Sequence, residues 1–81
     1  MDSTYIQRTQ ILNYLLKHGS LSSTFAREGL NSYHPNARIY ELRHQGYDIK
    51  TTWQVVTDNQ GREHRVGVWV LVGLPANKKV G

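Results

Sequence analysis

The sequence has no cysteine among its 81 residues. That absence excludes a disulfide framework, a thiol nucleophile and every zinc site built on thiolates, and it suits a reducing compartment. Long apolar runs are also missing. The longest uncharged stretch, residues 66–77, is too short and too interrupted by glycine to span a bilayer. No basic segment followed by an apolar stretch opens the chain, so no secretory leader is expected. There is no glycine-rich phosphate loop, and no Ser, His and Asp set with a nucleophile elbow, so an enzyme is not expected. His18, His34, His44 and His64 lie far apart in the chain, without the spacing of a converging ligand set. No metal and no cofactor is therefore expected. What remains is a soluble cytoplasmic chain of one domain, residues 1–75, with residues 76–81 as a tail. A domain this short buries only about 60% of its unfolded surface, so its core is thin.

Charge is present but dispersed. Ten Lys and Arg against six Asp and Glu give a net charge of +4, which suggests an anionic partner. Residues 1–26 and residues 27–65 each contribute +1, and Lys78 and Lys79 of the tail supply the remaining +2. The body is thus nearly neutral. A case for nucleic acid must come from where the arginines fall, not from their number.

Periodicity supplies the elements. Tyr5, Ile11, Leu12, Leu15 and Leu16 recur at helical spacing, which predicts a helix from Ser3 to His18 ended by Gly19. Leu21 between two serines reads as a brief extended stretch, then Ser22 or Ser23 caps a short second helix with Phe25, Ala26 and Leu30 inward. Pro35 suits the first turn of a third helix, residues 35–45, whose core side is Pro35, Ile39 and Leu42. After Gly46 the period changes to two. Alternation through Ile49, Thr51, Trp53 and Val55, a turn at residues 58–61, and alternation through Val66, Val68 and Val70 predict a β-hairpin. With a four-residue loop, Trp53 faces Val66, Thr51 faces Val68 and Ile49 faces Val70. That register leaves Lys50, Thr52, Gln54 and Trp69 on the outer face.

Helix, short strand, helix, turn, helix, hairpin is the order of an α+β winged helix-turn-helix: three helices followed by a two-stranded wing. The residues resemble a family of small winged helix-turn-helix proteins found in phages and in prophage-carrying bacteria. The resemblance rests on Ile11-Leu12, Leu15-Leu16, Gly19, Leu21-Ser22, Ala26, Gly29-Leu30 and the string ARI-x-ELR-x-QGY-x-I over residues 37–49. It covers residues 7–50, with the hairpin consistent but looser. The turn before the third helix, residues 31–36, is bulkier than the family pattern.

That fold implies a third helix in the major groove and a wing on the DNA backbone or in the minor groove. On the outward side of the helix and its approach the candidates are Tyr33, His34, Asn36, Arg38, Tyr40 and Arg43. Asn can pair bidentately with adenine, and Arg with guanine or phosphate. Arg38 has a second reading, an ion pair with Glu41 or Glu28. Wing candidates are Arg62, His64, Arg65 and Lys50, basic groups at a glycine-containing loop. Trp69 and Leu71, placed outward by the expected register, form a candidate dimer or partner surface, extended by Tyr14 and Ile6. The functional expectation is sequence-specific binding of double-stranded DNA, as a transcriptional regulator or a recombination or excision cofactor. A competing reading is a protein-interaction winged helix, an adaptor or an inhibitor of a host factor that binds no DNA. The partners expected are duplex DNA, a second copy and a host or phage protein, with no membrane.

Overall fold

A computed structural model describes residues 3–76. The first helix, α1 (Ser3–His18), buries Ile11 and Leu15 completely. Its apolar stripe is narrower than the periodicity suggests, for Tyr5 and Leu16 are exposed; a core this thin covers little more than one turn's width of the helix. After the three-residue strand β1 (Ser20–Ser22), helix α2 (Ser23–Glu28) starts on Ser22, whose hydroxyl accepts the Phe25 N–H at 3.1 Å. That cap satisfies one of the unpaired donors of the first turn. Ala26 is the buried residue of α2, while Phe25, expected inward, remains 40% exposed. The turn into the third helix holds Asn31 at φ 55, and the Ser32 N–H donates to the Ala26 carbonyl at 2.9 Å.

Helix α3 (Pro35–His44) begins with proline in its first turn after a non-helical His34, and turns Ile39 and Leu42 into the core. Proline lacks only an N–H that has no partner there, and it holds φ at a helical value. The helix stops at Gly46, whose φ of +101 is in the left-handed region, and the Tyr47 N–H returns to the Leu42 carbonyl at 3.1 Å. Glycine is required there twice over. A Cβ would be strained at that φ, and it would sit 3.0 Å from the Pro75 ring.

Strands β2 (Asp48–Thr57) and β3 (Glu63–Gly73) form the hairpin, and β1 pairs antiparallel with the base of β3, giving the order β1-β3-β2. The sheet is therefore three-stranded rather than two-stranded, because Leu21 has an apolar neighbour, Trp69, across the ladder. The core joins Ile11, Leu15, Leu21, Ala26, Ile39, Leu42, Tyr47, Ile49 and Trp69.

The hairpin register corrects the sequence expectation by one residue. Asp58 donates its N–H to the Arg62 carbonyl at 2.9 Å, Gly61 donates to the Asp58 carbonyl at 3.1 Å, and Gly61 has φ +79. This is a three-residue turn closed by a glycine bulge, so Arg62 belongs to the loop and Thr57 faces Glu63. Trp53 then faces Gly67, Thr51 faces Trp69 and Ile49 faces Leu71. A one-residue slip turns the whole of β3 over. Trp69 is thereby 5% exposed and part of the core, and Leu71 packs against it. Trp69, expected as part of an exposed dimer patch, is therefore buried, and Leu71 is only partly exposed. Lys50, Thr52 and Gln54 do lie on the other face of the sheet, together with Val66, Val68 and Val70, of which Val68 is buried.

Candidate nucleic-acid interface

The outward side of α3 and its approach carry Tyr33, His34, Asn36, Tyr40 and His44, all exposed. Tyr33 is 81% exposed and Tyr40 63%. Residues 36, 40 and 44 are four apart and so share one face, and the Tyr40 and His44 rings meet edge-on with centroids 4.4 Å apart. This face offers amide, phenol and imidazole groups, with both donors and acceptors for base edges.

The acid of the helix, beside that face, is neutralised by two arginines. Glu41 accepts from Arg8 of α1 at 2.9 Å and lies 3.0 Å from the Arg38 Nε, with a second bond from Arg38 Nη2 at 3.1 Å. The Arg38 side chain is only 12% exposed. Arg38 therefore anchors α3 to α1 through a shared carboxylate, which removes it from the expected helix contacts. Sequence reading missed Arg8 as a member of this cluster. A signal was present: Arg8 is seven residues before Leu15, two turns along the same side of α1.

Arg43 points elsewhere again. Its Nε donates to the Ile49 carbonyl at 2.9 Å and its Nη2 to Thr51 Oγ1 at 3.0 Å. The side chain thus ties the end of α3 to the start of β2 and fixes the angle between helix and wing, rather than projecting from the helix with Asn36 and Tyr40.

At the wing tip Asp58 organises the loop. Its Oδ1 accepts the N–H groups of Gln60 and Arg62, each at 2.9 Å, and its Oδ2 lies 2.8 Å from His64 Nε2 and 3.5 Å from Arg62 Nε. The bond from His64 and those two backbone donors hold the Asp58 carboxyl below its ordinary pKa. Arg62 also donates to Gln60 Oε1. Arg62 and His64 are nonetheless exposed, so a preordered loop presents their basic groups outward. Lys50, 66% exposed and 3.5 Å from Asp48, sits at the root of the wing on its outer face. Arg65 lies on the opposite face, with its guanidinium 5.3 Å from the centre of the Trp53 ring. Trp53, expected against the core, is 60% exposed. Lys78 and Lys79 lie outside the described residues.

Among the described residues no group of three or more His, Asp or Glu could hold a metal ion. No helix among them is long and apolar enough to cross a membrane.

Three helices with a tight turn between the second and third, backed by a small sheet whose last two strands project as a hairpin, define a winged helix-turn-helix. The model of the winged helix-turn-helix domain family matches residues 6–73, and the chain belongs to that family. Among curated proteins none matches it.

Proposed function

We propose that the chain binds double-stranded DNA, with the outer face of α3 in the major groove and the wing tip on an adjoining backbone. One observation carries the reading most directly. The only carboxylate of α3 is paired with both Arg8 and Arg38, so its charge is offset by two guanidinium groups and the exposed groups beside it are uncharged hydrogen-bonding and aromatic side chains. The contacts proposed on this face are Tyr33, His34, Asn36 and Tyr40, with Arg62, His64, Arg65 and Lys50 from the wing. Arg38 and Arg43 are positioning residues, the first for α3 against α1, the second for the wing against α3. On this reading its output is occupancy or bending of DNA, as in a transcriptional regulator or a recombination or excision cofactor.

An electrophoretic shift with mixed-sequence duplex tests this. The protein should bind at low salt and lose affinity steeply as salt rises, and a combined Tyr40→Ala and Arg62→Ala variant should lose most of the shift. Absence of binding by the unaltered protein at low salt, or equal binding by the folded variant, contradicts the proposal.

A second reading, contact with a protein or a second copy, is favoured by a separate surface. A groove between the end of α1 and the end of β3 is lined by Leu15, Leu16, Leu71, Val72 and Leu74, of which Leu16, Val72 and Leu74 are 44–54% exposed. Light scattering of the protein and of a Leu16→Asp variant decides whether copies meet there.

A further inference from the structure

The wing carries an apolar feature that the basic groups of its tip do not explain. Trp53 lies on the helix-facing side of the sheet, beyond Thr51, where the residues of β2 become exposed. Its cross-strand partner is Gly67, and a Cβ there would stand 3.4 Å from the indole. The missing side chain gives the ring a seat on the strand. One pair further out, Arg65 faces Val55 and holds its guanidinium 5.3 Å from the ring centre. Arg65 has no carboxylate partner among the described residues. Val55, on the same side as Trp53, is 61% exposed. A small domain gains stability by burying its tryptophans, and Trp69 is so used; Trp53 is left in water beside an unpaired cation.

We infer that Trp53 and Arg65, with Val55 beside them, form a mixed apolar and cationic contact for the sugar–phosphate backbone of duplex DNA. The indole and Val55 pack on deoxyribose, and the guanidinium held near the ring takes the phosphate. The charge fits a polyanion. The position fits one that already touches α3, for Arg43 of that helix bonds Thr51, two residues before Trp53 on the same side. The inference rests on the DNA reading above and adds to it an uncharged share of the affinity.

Binding of a fluorescent mixed-sequence duplex, measured over a series of salt concentrations, separates the two parts. Trp53→Ala should weaken binding about tenfold at every salt concentration and leave the slope of log affinity against log salt unchanged, because partial burial of one aromatic is of that size and releases no counterion. Arg65→Ala should reduce the slope by about one. Trp53→Phe should restore most of the loss. Trp69 being buried, Trp53 dominates acrylamide quenching of the free protein, and duplex should lower that quenching to the level of Trp53→Phe. Trp53 is outside the core, so thermal melts should show Trp53→Ala folded. Equal affinity of Trp53→Ala and the unaltered protein, or quenching unchanged in the complex, overturns the inference while the DNA reading stands. No binding of duplex by the unaltered protein at low salt overturns both.

Discussion

Asp58 and Glu41 show how single carboxylates set the geometry of this molecule. Asp58 closes the wing loop, and its pKa is held down chiefly by His64, then by the backbone donors. A carboxyl with a lowered folded pKa favours the ordered loop above its ordinary value of 3.8, and that favour is lost as pH falls through the folded value. The amide signals of Gln60 and Arg62 should therefore stay at their bonded positions at neutral pH and move toward random-coil values in acid. In Asp58→Asn, which keeps an acceptor and loses the titration, they should not follow this acid transition. Glu41 acts between helices. Its side chain is one-third exposed and engages two arginines, so Glu41→Ala leaves Arg38 confined without its counter-charge. The cost should be about 1–2 kcal/mol, read as a lowered melting temperature with the fold retained.

At the scale of elements, the two tryptophans report on the register. Trp69→Ala should destabilise by about 3–5 kcal/mol, as expected for emptying a core aromatic site, whereas Trp53→Ala should change stability by less than about 0.5 kcal/mol, as for an exposed position. Urea melts of the two variants check this, and a reversed ranking would restore the register that puts Trp69 outside. The helices were legible in the sequence because each carries its own punctuation. Ser22 caps α2, Pro35 opens α3, and glycines stand after α1 and α3. Both strands of the wing were legible from their alternation. Their mutual alignment was not, since a turn of Asp, Asn, Gln and Gly is compatible with loops of several lengths, and both faces of β3 are apolar enough to be buried. Val66, Val68 and Val70 alternate with Trp69 and Leu71, and Val68 is itself buried, so alternation alone does not choose the alignment that the closing bond between Asp58 and Arg62 accompanies. The site was half legible for a related reason. Helical phase placed Asn36 and Tyr40 outward, as found, but long arginine side chains reach sideways. Phase could not show that Arg38 would find Glu41 and Arg43 would find β2.

At the scale of the whole molecule, the nearly neutral body and the family membership are consistent. The basic groups are not numerous, and two of the acids are engaged within the fold: Glu41 between α1 and α3, and Asp58 inside the wing loop. In the proposed function the outward side of α3 and the wing together form one DNA-binding surface. The most direct test is a ¹⁵N amide titration of the protein with a mixed-sequence duplex at low salt. Perturbations should concentrate at Tyr33, Asn36, Tyr40 and His44, and over residues 58–65 of the wing, and be reversed by added salt. Perturbations clustered at Leu16, Val72 and Leu74, or none at all, would contradict it.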